Sequence, residues 1–199
     1  MENQRTMKKG TGLFLAVIMV LALAGCVGGQ QASESKEEPD ASEYAQALDV
    51  LTAVTDAYAE NELFSCYGGD PEHAVMDAPG VYDIQKKEGL NAELGLPESE
   101  YDKIDDAASI VHMMNANTFT GAVYHLKDSA DMDGFSEMLE EAILARQWVC
   151  GQPDMLIMIR AGDSYVIAAF GEAELVETFK THALSEVSGA ELITERPIV

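Results

Sequence analysis

Ser129-Ala130-Asp131-Met132-Asp133-Gly134, with Glu137 and Glu140 behind it, sets oxygen donors at intervals that suit a hard cation. With Gly134 as the sixth position of a twelve-residue calcium loop, Asp131, Asp133 and Glu140 fall at the third, fifth and twelfth. Ser129 then stands where the first aspartate ligand belongs, and Ser136 where an apolar residue normally packs. The simpler reading is a helix start, with Asp131 or Asp133 near the cap and acids at the positive end of the helix dipole. His73 follows Asp70, Pro71 and Glu72, where an imidazole among carboxylates can ligate metal or take a proton. His112 and His125 fall on two neighbouring expected strands; they could face each other around a metal, but a polar sheet face is the plainer reading. His182 reads as a half-buried structural residue of the last expected helix. Met113, Met114, Met155 and Met158 gather around the strands; thioethers can take copper(I) or varied apolar partners, but they more often fill cores. Trp148 likewise reads as packing. The chain contains no GxSxG, Walker loop, HExxH or Ser-x-x-Lys. No catalytic residue, metal site or cofactor is therefore assigned, and an enzyme is not expected.

One thiol has a clearer chemical context. Lys8 and Lys9 precede an apolar run from Leu13 to Leu23, and Leu23-Ala24-Gly25-Cys26 follows. The run is shorter than the roughly 20 apolar residues needed to span a bilayer, but it fits the apolar region of a signal peptide. Met7-Lys8-Lys9 offers a second, more usual opening. The four residues ending at Cys26 resemble the lipobox of bacterial lipoproteins. Small Ala24 and Gly25 let an extended chain enter a peptidase site. The Cys26 thiol can accept a diacylglycerol, and its freed amino group can be acylated in turn. Two or three chains, at roughly 0.8 kcal/mol per buried CH₂, hold such a protein on a membrane. Residues 1–25 are thus expected to be a signal peptide, and 26–43 a lipidated cysteine with a Gly-, Gln-, Ser- and Glu-rich tether. The expected location is the cell membrane, lipid-anchored on its extracytoplasmic face, with residues 44–199 as a single exposed domain.

The chain has 35 acidic and 12 basic residues, net −23. Removing residues 1–25 leaves 34 acids and 9 bases, net −25. Such a balance argues against nucleic acid and against a polybasic lipid-binding surface. It suits attraction for cations or basic partners, and more simply a solvated surface that stays off an anionic membrane. The expected partners are the membrane, through lipid on Cys26, and an envelope protein. Beyond Cys26, two cysteines remain. An oxidising compartment permits a Cys66–Cys150 disulfide, which would close a long loop and contribute on the order of 4–5 kcal/mol. Two buried free thiols are the alternative. No CxxC or HxxxH accompanies them, so zinc is not indicated.

The fold class expected is α+β. Asp40 to Leu63 reads as an amphipathic helix, capped by Asp40 with Glu43, with Tyr44, Leu48, Leu51, Val54 or Thr55, and Tyr58 on one face. Residues 65–100 read as irregular, with turn signals at Gly68-Gly69-Asp70-Pro71, Ala78-Pro79-Gly80 and Leu96-Pro97. A short helix is expected from Glu98 to Ile104. Strands at Ala108–Met114 and Ala122–Leu126 precede a helix over Asp131–Val149. Strands at Met155–Ile159 and Ser164–Phe170, around Ala161-Gly162-Asp163, precede a helix over Glu172–Val187. This ββα-ββα repeat suggests an antiparallel four-stranded sheet with helices on one face, leaving the other open to a partner. Leu192 and Ile193 suggest an added edge strand.

Certain segments carry a family resemblance. They are Leu94-Gly95-Leu96-Pro97, Tyr101, Ser109 to Asn115, Ala122 to Asp128 (AVYHLKD), and Gly162-Asp163-Ser164-Tyr165-Val166. Together, over about residues 45–185, they resemble the DUF4358 family of bacterial lipoproteins, found mainly in Firmicutes. The stretch from Cys66 to Asn91 is longer than the family pattern. The resemblance implies an exported, lipid-anchored protein with this fold, and it carries over no catalytic residue.

Mass spectrometry of the native protein is expected to find an N-terminal, acylated Cys26. An intact leader or an unmodified residue 26 would remove the envelope assignment.

Overall fold

A computed structural model describes residues 44–199 of the chain. The expected signal peptide, the Cys26 lipidation site, the tether and the Asp40–Glu43 cap all lie outside the described residues. Among the described residues no helix is long and apolar enough to cross a membrane.

The first helix, α1, runs over Ala47–Thr55, shorter than its periodicity suggests. Ala47, Val50, Leu51 and Val54 are buried, the spacing of one helical face. Gln46 offers no side-chain cap. The Ala47 N–H instead donates to Asp106 Oδ2 at 2.6 Å, across 59 residues of sequence. Past Thr55 the chain leaves the helix, and the Ala59 N–H is taken by Glu62 Oε2 at 2.8 Å.

The stretch expected to be irregular forms three short strands and a helix: β1 Cys66–Gly68, β2 Val75–Met76, β3 Gly80–Val81 and α2 Lys87–Ala92. A 3₁₀ turn, Glu98–Lys103, leads into β4, Ile104–His112. The rest follows as β5 Phe119–Leu126, α3 Met132–Leu144, β6 Met155–Ala161, β7 Tyr165–Gly171, α4 Ala173–Glu186 and β8 Ala190–Pro197. The sheet is open and antiparallel, in the order β2-β1-β4-β5-β7-β6-β8, with β3 also paired to β4. It has eight strands, not the expected four. Leu192 and Ile193 do lie on an edge strand, β8.

Both faces of the central strands are covered, which corrects the expectation of helices on one face and an open sheet surface. Helices α1 and α4 pack on Ala108, Ile110, Val123, Ile157 and Ile167. On the other face α2 and α3 pack on Ala107, Tyr124, Leu156, Met158 and Phe170. The reason is visible in β7, where every residue from Tyr165 to Gly171 is buried. A strand without a polar alternate must be enclosed on two sides. At the centre, Gly121 lies opposite Ala169 and Ala122 opposite Ala168. These small residues leave room for rings. Phe119 and Phe179 meet at 5.4 Å on one face, and Tyr124 and Phe135 at 5.6 Å on the other.

Strands β1 and β3 share one edge of β4, pairing Tyr67 with Val111 and Gly80 with Ser109. They meet at Gly68 and Gly80. A Cβ on Gly68 would lie 2.1 Å from the Gly80 nitrogen and 2.5 Å from the Ser109 carbonyl oxygen. Only a residue without a side chain permits that approach. The buried Ser109 hydroxyl fastens the crossing, accepting from the Gly69 N–H at 3.1 Å and donating to the Gly69 carbonyl at 3.4 Å.

Gly68→Ala is expected to cost about 3 kcal/mol through forced backbone displacement, lowering the melting temperature by about 10 °C. A variant that melts with the wild type would show that the crossing is not tight.

Candidate functional site

The glycine crossing carries the chain from β1 to Asp70 and from β3 to Tyr82, on the same side of the sheet edge. Asp70 is 1% exposed. Its carboxylate accepts from the Glu72 N–H at 3.0 Å and faces His73 Nδ1 at 3.0 Å. Burial pushes Asp70 up, but the His73 contact and the Glu72 N–H outweigh it and hold the carboxyl below its ordinary range. Asp70 therefore stays ionised.

Tyr82 is anchored by its N–H, which donates to the Ala107 carbonyl at 2.8 Å. Its ring is 1% exposed, among Leu90, Leu94 and Tyr124. Its hydroxyl rests on the α2 backbone: a Cβ on Gly89 would come within 2.2 Å of the oxygen. That hydroxyl has no hydrogen-bond partner among the described residues. Glu93, at the end of α2, is half-buried, and its Oε2 likewise has no partner. Burial raises the Tyr82 hydroxyl, and the neighbouring Glu93 charge raises it further. Burial also raises Glu93, and the Asp70 charge adds to this while the Tyr82 hydroxyl opposes it. The phenol and the carboxylate thus feel each other without closing a hydrogen bond of good geometry.

An open cleft of about 470 Å³ lies over these groups, between the 70–72 turn and the face of α2. That volume falls in the range of small-molecule sites. Its two lysines differ in how they are held. Lys86 Nζ meets Glu72 Oε1 at 2.6 Å, and Lys87 Nζ lies 3.9 Å from Asp102 Oδ1. Asp70, Glu88 and Glu93 leave the lining negative. A phenol held this far from ionisation is a poor nucleophile and a poor base. It remains a good hydrogen-bonding group.

The residues singled out by sequence fall differently. His73 does join Asp70, but among the described residues no three His, Cys, Asp or Glu side chains converge to hold a metal. The calcium spacing does not make a loop. Ser129–Asp131 is a 3₁₀ turn, and Asp133 and Gly134 already lie in α3. The cap is Asp128, whose Oδ1 accepts from the Ala130 N–H at 3.0 Å. His112 and His125 do not face each other: His125 lies opposite Asp106, and His112 opposite Cys66 at the other end of β4. His125 pairs with Asp105 at 2.5 Å, while His112 stacks on Phe64 at 5.6 Å. His182 is half-buried and joins Glu62 at 2.9 Å. Met158 is core and Met155 partly so, but Met113 and Met114 are exposed beyond the end of β4. Trp148 packs on Phe170 at 5.4 Å beneath Arg146.

The disulfide weighed from the sequence is not made, and Cys66 and Cys150 are both free. Strand β1 holds Cys66 in the core beside α1, where burial pushes its thiol up to about 11. Cys150 is exposed, in a loop whose carbonyls are tied down by Asn115 and Asn117. Sequence reasoning passed over Tyr82, Glu93 and Gly89. The available signal was Gly89 itself, an isolated glycine inside a helical segment, which points to a close packing partner. Comparison of the chain with known protein families, with curated proteins and with solved structures returns no match.

Two outcomes follow from this geometry. Gly134 is helical with nothing within 4 Å of an added Cβ, so Gly134→Ala is expected to stabilise by about 0.5–1 kcal/mol. A calcium loop would be damaged by the same change, so chemical denaturation separates the two. The second concerns Glu93. Because its folded pKa is raised, ionising it opposes folding; that penalty is absent at low pH and appears as pH rises through the raised value. Glu93→Gln should melt above the wild type at pH 7, and the difference should vanish below about pH 4. A difference that does not change with pH would place the cause elsewhere.

Proposed function

We propose that this chain is an extracytoplasmic lipoprotein, held on the cell membrane through Cys26, whose exposed domain is a non-catalytic binding or scaffolding module of the envelope. The lipobox-like run before Cys26 supports the address. The resemblance read in about residues 45–185 to the DUF4358 lipoproteins would agree with that address, although the comparison with known families returns no match. The net charge of −25 on the mature chain suits a domain that works close to an anionic membrane without lying on it. The succession β4-β5-α3 then β6-β7-α4 supports reading the core as a ββα repeat, with the two helices on opposite faces.

The observation that carries the binding reading is the cleft beside α2. The buried Tyr82 hydroxyl and the buried Oε2 of half-exposed Glu93 both lack partners there. Groups left in that condition cost free energy, and a ligand that supplies the missing bonds recovers it. The same observation favours a second reading within the binding class, that of an accessory protein for a small molecule. Calcium has less support, because the acids around Gly134 are built into a helix start.

The test is purification of the membrane-anchored protein from its native envelope in mild detergent, with the co-purifying protein and small-molecule fractions identified. A partner or ligand lost on mutation of the cleft supports the reading. A chain that purifies alone and turns over an envelope substrate overturns it. In parallel, millimolar calcium is expected to leave the melting temperature unchanged; a clear rise would move the assignment to a cation-binding protein.

A further inference from the structure

We infer that the cleft between the Asp70 turn and α2 receives the primary ammonium group of a small organic amine, held by the Tyr82 hydroxyl and the Glu93 carboxylate. This deepens the binding-module reading and rests on it.

The argument begins with the two orphaned oxygens. Tyr82 is 1% exposed and is among the residues around the cleft, its hydroxyl lies buried against Gly89, and neither that oxygen nor the buried Glu93 Oε2 has a partner among the described residues. Buried polar groups in native proteins are otherwise nearly always paired. Both oxygens can accept a hydrogen bond, the Tyr82 O–H can also donate toward Glu93, and one oxygen belongs to an acid. The complementary group therefore donates at least two hydrogen bonds and carries positive charge. A primary ammonium does both, with three donors on one compact centre. A neutral hydroxyl would bond without meeting the charge. An anion would face Asp70, Glu88 and Glu93, while Lys86 of the lining is held by Glu72. A metal ion needs several converging ligands, and none of the described His, Cys, Asp and Glu side chains forms such a group.

The surroundings fit an amine with an organic body. Pro71 and the methylene stems of Gln85, Lys86 and Lys87 give the cleft an apolar wall. The cleft volume of about 470 Å³ is too large for an ammonium ion alone. Gly89 sets the depth, because any side chain there would strike the Tyr82 oxygen. Asp70, ionised and pinned by His73 and the Glu72 N–H, keeps the potential at the floor negative without being consumed by the ligand. Charge-assisted hydrogen bonds of this kind are the strong ones.

The probe is butylamine, with butanol, butyrate and trimethylbutylammonium as controls of matched chain. Each is titrated into the isotopically labelled full chain in detergent, following the amide resonances of Gly89 and Glu93. Butylamine is expected to shift both saturably. Butanol and butyrate are expected to bind at least about tenfold more weakly, and the quaternary ion likewise, since it has charge but no donor. Glu93→Gln and Tyr82→Phe, each confirmed as folded by its spectrum, should each weaken butylamine by about tenfold. Binding should also fade as the solution is acidified and Glu93 takes up its proton. Equal binding of all four probes, or unchanged butylamine binding in both variants, overturns the inference. Preference for butanol or butyrate overturns it too, while leaving a binding cleft in place. Co-purification of a partner that ignores both variants would separate a failure here from a failure of the wider reading.

Discussion

Enclosure of the central strands on both faces is the constraint from which the rest of this structure follows. Strands β5 and β7 have almost no position at which a side chain can meet water. Helices α1 and α4 must close one face and α2 and α3 the other. Burial of this kind is the main favourable term in folding, and it fixes register because a one-residue slip would exchange the contents of two differently shaped cores. Gly121, Ala122, Ala168 and Ala169 mark the point where both layers press closest, and the rings of Phe119, Phe179, Tyr124 and Phe135 fill the space they leave.

The sheet edge obeys a second, more local rule. Strands β1 and β3 can share one side of β4 only because Gly68 and Gly80 touch backbone to backbone. The same contact brings Asp70 and Tyr82 to one rim and sets α2 over them. A feature needed for packing thereby produces the cleft. Tyr82 shows the tension plainly: its ring belongs to the core, while its hydroxyl is left at the end of that core without a partner.

Helix termini show the same dependence on distant parts of the chain. Helix α1 begins where the Asp106 carboxylate from β4 takes the Ala47 N–H, not at a local cap. It ends where Glu62 turns the chain, with the same Oε2 bonded to His182 on α4. Glu62 is held below its ordinary range by the Ala59 N–H first and His182 second. The 3₁₀ turn that leads into α3 is capped locally, by Asp128, three residues before Asp131.

The long elements were legible because their signals are local. Apolar spacing marked α1, α3 and α4, and β-branched and aromatic runs around Ala161-Gly162-Asp163 marked β6 and β7. The short strands at 66–81 were not legible, since two or three residues carry no period and exist only by pairing with β4. The covering of both faces was present in the unbroken apolar run of β7 but was read as one-sided. Cys66 and Cys150, and His112 and His125, seemed able to meet because sequence gives no distance between elements. The candidate site lay furthest out of reach. Tyr82, Gly89 and Glu93 are ordinary residues in a polar stretch, and they acquire chemistry only when a glycine crossing folds one strand against another. Residue order alone settles spacing along the chain and so the periodic elements; burial, partnership and unmet hydrogen bonds arise between segments, and only the packed chain decides them.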